Sequence, residues 1–483
     1  MKFIVRLHSE ITIKSNSVRK RFTRILESNI RNVFRPYPFD VGVTNLWDKL
    51  LVNVKTDDPE SVELAAMQLS RIPGIEYFMQ VRQSTYTDLH DIYEQVKPHW
   101  QDKLAGKTFA VRVKRRGKHE YTSTQIAAYV GGGLNQHCDT GGVSLKKPDV
   151  VINLEVENDQ LIMVDKRTAG LGGFPIPTQG EVLSLMSGGF DSGVASYQMI
   201  RRGARTHFVF FNLGGTEHEI GVREVSHYLW KQFGASHRVK FIAVDFAPVV
   251  QMILEQVDNG LMGVMLKRMM LRAAAIVADN LQVDALVTGE SLGQVSSQTL
   301  ANLNVIDQVT NKLVLRPLIC SDKQEIIDTA REIGTEDFAR TIPEYCGVIS
   351  NKPTVAARLA DVEAQEAKLD LSIIEQVVRA SNVEDIRDLL KETEADLREV
   401  ERVSDVDNAV ILDIRPPVEQ ERKPLQVDAE IQLMPFYQLG SKFGDLPKER
   451  QYLLYCERGV MSKLQALYLQ EKGFTNVAVY HPE

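Results

Sequence analysis

Six consecutive residues, the Ser-Gly-Gly-Phe-Asp-Ser stretch at 187–192, constrain the fold of this chain more than any other feature. The apolar run at 182–186 before them predicts a β-strand, and the residues after 192 predict a helix. Two glycines let the backbone turn sharply, and the free amides and the helix dipole then favour an anion. The sequence therefore predicts a phosphate site in which Asp191 holds Mg²⁺. Its other predicted members are Ser187, Gly188, Gly189 and Ser192.

The alternative for this stretch is an ordinary glycine turn with a capping serine. A glycine pair alone would favour that alternative, but six residues between a strand and a helix favour nucleotide binding. The stretch lacks the Lys-Ser/Thr pair of the P-loop of kinases and GTPases. It resembles the PP-loop of ATP pyrophosphatases, which split ATP between its α- and β-phosphates to adenylate a substrate oxygen. The resemblance implies ATP and Mg²⁺ as cofactors and a catalytic role for Asp191.

Composition limits the class of protein. The 483 residues suggest about three domains, and a net charge of -7 leaves only local patches for a polyanionic partner. Four cysteines without a Cys-x-x-Cys pair indicate a reducing compartment and argue against an iron–sulfur cluster or a zinc knuckle. Neither a long apolar run nor a signal-peptide pattern occurs, so we expect a cytoplasmic protein with no membrane partner.

The first third of the chain carries two basic clusters. Residues 1–75 follow a β-α-β-β-α-β order, the ferredoxin-like pattern, and residues 1–35 hold nine Lys or Arg against two Glu. For the basic helix of residues 1–35, a solvated face is the alternative. In residues 76–168 a strand from Phe109 runs into a second basic cluster, which suits RNA phosphates and favours RNA binding. This segment resembles a THUMP domain, which implies RNA binding. The candidate RNA-binding residues are Arg112, Lys114, Arg115, Arg116 and Lys118.

Residues 176–350 alternate strands with helices, which predicts a doubly wound parallel sheet with ligands at the carboxyl ends of its strands. Lys267 interrupts an apolar helix, where a snorkelling surface lysine is the alternative, and the loop after Gly289 is rich in small and amide residues. Together these stretches resemble the tRNA 4-thiouridine synthase family, whose members also serve thiamine thiazole synthesis. The resemblance implies contacts to the nucleotide from Leu185, Met186, Lys267, Gly289 and Gln298.

Cys456 lies between an apolar strand and a predicted helix in residues 404–483. This segment resembles a rhodanese domain, whose loop cradles a cysteine persulfide. Backbone amides and Arg458 would favour the thiolate of Cys456. The segment is short, and Met461 stands where many rhodaneses carry Arg, which favours a cysteine desulfurase over thiosulfate as the sulfur donor.

The remaining cysteines divide into two groups. The resemblance assigns Cys346 as the residue that forms a disulfide with Cys456 when sulfur is released, which calls for a thiol reductant. Cys138 and Cys320 have no supporting motif, and we expect both to be plain buried residues. Between these regions, the acidic segment 352–403 predicts a helical linker that tethers a mobile rhodanese-like domain.

The predicted protein is a multidomain α/β chain. It has N-terminal ferredoxin-like and THUMP modules, a doubly wound PP-loop domain and a C-terminal rhodanese-like domain. The resemblance implies that ATP adenylates uridine O4 in tRNA and that a Cys456 persulfide delivers sulfur to give 4-thiouridine. It also implies sulfur supply to a sulfur-carrier protein of thiazole synthesis. Two alternatives stay open: a small-molecule ligase of the PP-loop type, which would not need Cys456, and a persulfide carrier without RNA chemistry, which would not need Asp191.

Overall fold

The computed structural model describes residues 1–46, 49–56, 58–213, 215–341 and 352–389. In the C-terminal part it describes residues 402–403, 406, 409–415, 420, 423–435, 439, 442–456, 462, 465–466, 469–470 and 473–480. The chain divides into two compact units, residues 1–178 with 201–203, and residues 179–200 with 204–483. None of the helices in these ranges is both long enough and apolar enough to cross a membrane.

One seven-stranded sheet organises the first unit. Its elements are β1 (Lys2–Leu7), α1 (Ser9–Thr12), α2 (Asn16–Phe34), β2 (Val41–Asn45), β3 (Lys49–Val54), α3 (Pro59–Ser70), β4 (Ile75–Thr85), α4 (Leu89–Trp100), β5 (Phe109–Arg116), α5 (Ser123–His137), β6 (Val150–Glu157) and β7 (Gln160–Ala169). The strand order is β2-β3-β1-β4-β7-β6-β5, and only β5 and β6 run parallel. The predicted ferredoxin-like order is confirmed, and β4 joins the two halves of the sheet.

Each half of this sheet has its own apolar core. Phe22, Leu26 and Ile30 are spaced four residues apart on one face of α2. They are buried with residues of β1 and β3. The second core lies under α4 and α5 and includes Trp100 and Phe109. The helix α5 begins at a capping box, in which the Thr122 side chain accepts from the Gln125 amide. Each half of the sheet is therefore covered by its own pair of helices, α2 with α3 and α4 with α5.

The second unit opens with a six-stranded sheet. Its elements are β8 (Glu181–Met186), α6 (Phe190–Arg201), β9 (Arg205–Asn212), α7 (Gly215–Leu229), β10 (Lys240–Asp245), α8 (Ala247–Gln256), α9 (Met262–Leu281), β11 (Ala285–Val287), α10 (Leu300–Asp307), β12 (Leu313–Leu315), α11 (Lys323–Ile333), α12 (Glu336–Thr341), α13 (Leu359–Glu366), α14 (Ser372–Arg379) and β13 (Asn382–Asp385). The order is β12-β11-β8-β9-β10-β13, with the first five strands parallel. The predicted doubly wound parallel sheet is confirmed.

The predicted linker is wrong over residues 352–389. Helices α13 and α14 bury Val362, Ile374 and Val377 in the core of the six-stranded sheet. Strand β13 extends that sheet antiparallel to β10. The acidic face suggested a solvated linker, but the apolar residues of α14 pack into the core of the sheet. Residues 390–401 lie outside the described residues, and the predicted tether stays a prediction there.

A separate parallel sheet forms the end of the chain. It contains β14 (Arg402–Val403), β15 (Ala409–Asp413), β16 (Glu430–Leu433), β17 (Gln451–Tyr455) and β18 (Val477–Tyr480). The strands pair in the order β14-β18-β17-β15-β16, all parallel. Ile411, Leu453 and Ala478 lie in its core. This agrees with the α/β class predicted for the C-terminal segment.

Candidate active site

The glycine turn lies at the carboxyl end of β8, which pairs with β11 on one side and β9 on the other. Gly188 has a φ of +84°, a conformation that a side chain would strain. The buried Ser192 hydroxyl accepts from the Ser187 amide at 3.2 Å and donates to the Gly189 carbonyl at 3.3 Å. Helix α6 begins at Phe190, within the stretch 187–192, which we call the anion turn. The turn is thereby held in a shape suited to an anion.

Gly289, just after β11, packs against the backbone of this turn. A Cβ at Gly289 would lie 2.6 Å from the carbonyl carbon of Asp191 and 2.7 Å from the amide nitrogen of Ser192. Glycine is needed for two backbones to approach this closely. The structure therefore gives Gly289 a packing role that shapes the turn, beside the nucleotide contact that the resemblance implied.

Asp191 is held by two side chains from distant parts of the chain. The Lys323 ammonium lies 2.8 Å from Oδ1, and the Gln294 amide donates to Oδ2 at 2.7 Å. The Lys323 ammonium also lies 5.4 Å from the centre of the Phe190 ring. A fixed carboxylate and a cation therefore stand together at the start of α6.

Sequence reasoning missed Lys323 and Gln294. A usable signal existed for Lys323, which is the first residue of α11 and follows the N-cap Asp322. A cation is unfavourable at a helix N-terminus, because the helix dipole is positive there. The Asp191 carboxylate offsets this unfavourable interaction of Lys323 with the helix dipole. Gln294 gave no signal beyond the amide-rich composition of its loop.

Lys267 belongs to a buried charge network at the carboxyl end of β11. Its ammonium lies 2.8 Å from Glu290 Oε1, and Arg316 Nε donates to Glu290 Oε2 at 2.8 Å. Arg316 also makes a two-bond fork to Asp307. Burial opposes the charged form of Glu290, but the Lys267 and Arg316 cations outweigh it and lower the pKa of Glu290 to about 2. Lys267 is thus a cation held in place by Glu290. The alternative of a snorkelling surface lysine is not supported.

The other predicted nucleotide residues support the same strand ends. Met186 is buried, and its sulfur accepts a hydrogen bond from the Ser196 hydroxyl at 3.2 Å. Leu185 is half-buried against the sheet core. Gln298 is buried, and its Oε1 accepts from the Ser291 amide at 3.3 Å, which fixes the loop after β11.

His218, on the first part of α7, is a further residue that sequence reasoning missed. Its Nε2 donates to the Ser187 carbonyl at 2.9 Å, because a carbonyl can only accept. Burial lowers the pKa of His218, and the Ser187 bond only partly opposes this. A neutral histidine therefore joins α7 to the anion turn.

Cys456 follows β17 and is buried. Its sulfur accepts from the Ser462 amide at 3.3 Å and lies 3.4 Å from the Ser462 hydroxyl. The loop residues 457–461, with Arg458 and Met461, lie outside the described residues, as does Cys346.

A buried ion pair supports the strand next to Cys456. The Arg415 guanidinium forks onto the Asp413 carboxylate at 2.9 and 2.6 Å. Gln420 donates to the carbonyls of both residues. Cys138 is half-buried, but Cys320 is exposed in the turn between β12 and α11, so its predicted burial was wrong.

The predicted RNA-binding cluster lies on and just after β5 in the first unit, and all five side chains are exposed. Arg115 differs from the others, because it donates to the carbonyls of His119 and Tyr121 at 3.3 and 2.7 Å. It therefore braces the loop after β5. Arg112, Lys114 and Lys118 present their charges to solvent near it.

The six-stranded sheet of the second unit, with the Ser-Gly-Gly-x-Asp-Ser turn at the end of β8, is thus an α/β domain of the PP-loop class. The family model described as "Thiamine biosynthesis protein (ThiI)" matches residues 177–371, the THUMP domain model matches residues 86–164, and the ThiI ferredoxin-like domain model matches residues 2–78.

Full-length relatives agree with these matches. The chain is 60% identical to the tRNA sulfurtransferase of Aeromonas hydrophila and 59% identical to that of Aeromonas salmonicida, over 100% of both chains in each case. It is also similar to a crystal structure described as a 4-thiouridine synthetase–RNA complex with bound ATP, at 27% identity and a TM-score of 0.70. That likeness covers 80% of this chain and 99% of the other. The chain belongs to the tRNA sulfurtransferase family.

Proposed function

We propose that this chain makes 4-thiouridine in tRNA in two steps, adenylation of uridine O4 by ATP and transfer of sulfur from a Cys456 persulfide. The observation that carries the proposal is the anion turn of β8, with Asp191 fixed beside it by Lys323 and Gln294. The similar 4-thiouridine synthetase, described as bound to RNA and ATP, supports the same substrate pair.

In the first step, O4 of the uridine attacks the α-phosphorus of ATP. The bond from that phosphorus to the bridging oxygen breaks, and pyrophosphate leaves. The amides of the turn and the ammonium groups of Lys323 and Lys267 would stabilise the charge on pyrophosphate. Leu185, Met186 and Gln298 would line the nucleotide side.

Mg²⁺ would neutralise part of the phosphate charge. Across the residues that the structure describes, no three His, Cys, Asp or Glu side chains cluster as a metal site. Both Asp191 oxygens already accept hydrogen bonds. Asp191, the carboxylate at the turn, would hold a Mg²⁺ that arrives with ATP, and the ion would supply positive charge beside the phosphates.

In the second step, the terminal sulfur of the Cys456 persulfide attacks C4 of the adenylated uridine, and AMP leaves with the former O4. The thiolate of Cys346 then attacks Sγ of Cys456. The S–S electron pair leaves on the sulfur of the product, which becomes 4-thiouridine, and a Cys346–Cys456 disulfide remains. A thiol reductant resets both residues, and a cysteine desulfurase reloads Cys456.

The domains divide this work. The ferredoxin-like and THUMP segments would hold tRNA through Arg112, Lys114 and Lys118, with Arg115 and Arg116 beside them. Residues 404–483 would act as the rhodanese-like sulfur domain. The same persulfide would supply a sulfur-carrier protein of thiazole synthesis, and a cytoplasmic location fits the tRNA substrate.

The test is mass spectrometry of nucleosides from unmodified tRNA incubated with the protein, Mg-ATP, a cysteine desulfurase and ³⁴S-cysteine. We expect labelled 4-thiouridine, and its loss in both Asp191→Ala and Cys456→Ala. Asp284→Ala, an exposed acid at the opposite end of β11, and Cys138→Ala serve as controls and should retain product. Label on Cys456 without any thionucleoside would favour the persulfide carrier, and activity independent of Cys456 would favour a ligase.

A further inference from the structure

The side-chain amide of Gln294, in the loop between β11 and α10, uses only one of its two polar ends. Its Nε2 donates to Asp191 Oδ2 at 2.7 Å. Its Oε1 is buried and has no hydrogen-bond partner among the residues that the structure describes. A buried acceptor without a donor is costly and uncommon in folded proteins. An acceptor of this kind beside a reactive turn indicates a ligand that brings the donor.

The orientation of this amide is fixed by its neighbour. The Asp191 carboxylate faces the Lys323 ammonium at 2.8 Å, and a carboxylate only accepts hydrogen bonds. Turning the amide over would place Gln294 Oε1 against Asp191 Oδ2, which are both acceptors. Nε2 therefore faces Asp191, and Oε1 faces another direction. Because Nε2 and Oε1 share one carbon, Oε1 lies within about 5 Å of Asp191 Oδ2.

Backbone hydrogen bonds hold the loop that carries Gln294. The Gln294 amide nitrogen donates to the Ser291 carbonyl at 3.3 Å, and the Gly293 amide donates to the Gln298 carbonyl at 2.9 Å. The Ser291 hydroxyl donates to the Ser321 carbonyl at 2.7 Å, which ties the loop to the turn before α11. The acceptor on Gln294 therefore has a fixed position.

Apolar side chains flank Gln294 along this loop. Leu292 and Val295 are both exposed. An unpaired nucleobase combines two apolar faces with a polar edge, and proteins bind the faces by stacking and the edge by hydrogen bonds. A fixed acceptor between two exposed apolar residues has the composition of a base-binding site.

Uracil has an N–H group next to its reacting atom. Ring atom C4 carries O4 and is bonded to N3, whose hydrogen lies on the Watson–Crick edge of the base. A hydrogen bond donated by N3–H leaves more negative charge on O4, the atom that attacks phosphorus. Cytosine has no hydrogen on N3, so it would bring a second acceptor against Gln294 Oε1. A site built around such a hydrogen bond rejects a base that lacks the donor.

We propose that Gln294 Oε1 accepts a hydrogen bond from N3–H of the target uridine and thereby selects uracil for adenylation. This inference rests on the proposed function, because it takes O4 of a tRNA uridine as the nucleophile. Gln294 then contacts both sides of the reaction, with Nε2 on Asp191 and Oε1 on the base. Gln298 cannot take this role, because its Oε1 already accepts from the Ser291 amide.

The experiment measures tRNA binding to the full-length protein with a non-hydrolysable ATP analogue present. A series of otherwise unmodified tRNAs carries a methyl group on N3 of one unpaired uridine at a time, which removes the donor and keeps O4. Gln294→Leu removes both polar atoms, and Gln294→Lys keeps a donor for Asp191 without an acceptor. Gln308→Ala, an exposed glutamine at the end of α10, is the control. Filter binding gives the affinity of each pair.

We expect one position at which the N3 methyl group weakens binding to wild type and to the control by about tenfold, the scale of a buried acceptor left without its donor. The same methyl group should change binding to Gln294→Leu and Gln294→Lys by less than about threefold, because the partner atom is missing. An equal effect of the methyl group in wild type and in both variants would overturn the proposal.

Binding of the ATP analogue without RNA distinguishes uracil from adenine as the donor. Gln294→Lys should bind the analogue within about threefold of wild type, because its ammonium still reaches Asp191. A much larger loss, together with an N3-methyl effect that persists in the variant, would assign Oε1 to the adenine amino group and overturn the proposal.

Thiouridine formation separates this inference from the proposed function. The uridine that wild type thiolates should be the one whose N3 methyl group weakens binding. If that sensitive position exists but wild type makes no thiouridine, the proposed function fails and the contact to uracil remains. If wild type thiolates a uridine whose methylation affects wild type and Gln294→Leu alike, this inference alone fails.

Discussion

At the scale of single residues, the backbone conformation of the anion turn depends on two glycines and a few hydrogen bonds. Gly188 takes a φ of +84°, and Gly289 approaches the turn more closely than any Cβ permits. Ser192 closes the turn with two hydrogen bonds. Asp191 has both oxygens occupied by Lys323 and Gln294, so its direction is fixed before a nucleotide arrives.

Lys323→Ala should lower ATP-dependent pyrophosphate release by about 100-fold, on the scale of losing one group that stabilises developing charge. The cation also holds Asp191, so Lys323→Arg should retain only part of the activity, because a guanidinium places its charge differently. Pyrophosphate release in a coupled assay measures both. Lys231→Ala, an exposed lysine, is the control, and equal rates in Lys323→Ala and this control would contradict the role of Lys323.

Gly289→Ala should abolish measurable ATP binding, because its Cβ would collide with the backbone of Asp191 and Ser192. Titration calorimetry with a non-hydrolysable ATP analogue measures this. Gly263→Ala in α9 is the matched control, since nothing lies within 4 Å of its Cβ position. That variant should bind normally, and wild-type affinity in Gly289→Ala would show that the turn can yield.

At the scale of elements, the nucleotide domain is completed by the segment after residue 352. Helices α13 and α14 cover the core beside α9, and β13 closes one edge of the sheet. Glu366 of α13 bonds to Arg268 at 2.6 Å and also to Arg272. Arg268 has an exposed fraction of 2%, so α13 supplies the counter-charge that makes its burial tolerable.

Glu366→Ala should destabilise the domain by about 3–5 kcal/mol, because Arg268 would remain charged and buried without its partner. Urea unfolding followed by tryptophan fluorescence measures the change. Glu363→Ala, an exposed residue of the same helix, should change stability by less than about 0.5 kcal/mol. Similar values for the two variants would mean that α13 docks without this ion pair.

Glu224 gives α7 a pH dependence that can be measured in the folded protein. An ordinary glutamate titrates at 4.5, whereas burial raises the pKa of Glu224 to about 8. Between these values the folded state binds one more proton than the unfolded state, so stability falls as pH rises through this window. Glu224→Gln removes this pH dependence. The free energy of unfolding of the variant, relative to wild type, should therefore rise by roughly 2–4 kcal/mol from pH 5 to pH 8.5.

Denaturant unfolding at both pH values tests this, with hydrogen exchange of α7 as the local readout. Glu375→Gln, on an exposed face, should show no such window. A constant difference between Glu224→Gln and wild type at the two pH values would mean that Glu224 is ionised in the folded state.

At the scale of the whole molecule, the two compact units carry different chemistry. The first presents exposed cations along β5, and the second holds the anion turn and the Cys456 site. The formal charge of -7 hides this division, because the N-terminal residues are basic and the remainder compensates. Binding of RNA and activation of ATP should therefore respond to separate substitutions.

The combined variant Arg112→Glu, Lys114→Glu and Lys118→Glu should weaken tRNA binding and reduce its dependence on salt. The slope of log K against log salt should become shallower by about 0.7–0.9 for each phosphate that the variant no longer neutralises. Filter binding across a range of salt concentrations measures this, and persulfide loading of Cys456 should be unchanged. An unaltered salt slope would place tRNA elsewhere on the unit.

The sequence by itself determined the local features of the protein, those that depend on residues close together in the chain. The Ser187–Ser192 turn, the alternation of strands and helices, and the strand before Cys456 could be predicted because turn chemistry and hydrophobic period act over a few neighbours. The resemblance to known families supplied the domain order, and the folded first unit and six-stranded sheet agree with it. The placement of Cys346 stays a prediction.

Only the tertiary structure decided which distant side chains meet. Lys323 and Gln294 are 132 and 103 residues from Asp191, and no local pattern announces such pairs. The same holds for Glu366, whose acidic segment suggested a solvated linker until packing placed it beside Arg268. Burial raises the pKa of both Glu224 and Glu290, but the Lys267 and Arg316 cations outweigh it at Glu290, and among the described residues no cation opposes it at Glu224. Proximity and dielectric environment are properties of the packed chain, and the sequence specifies them only through the whole fold.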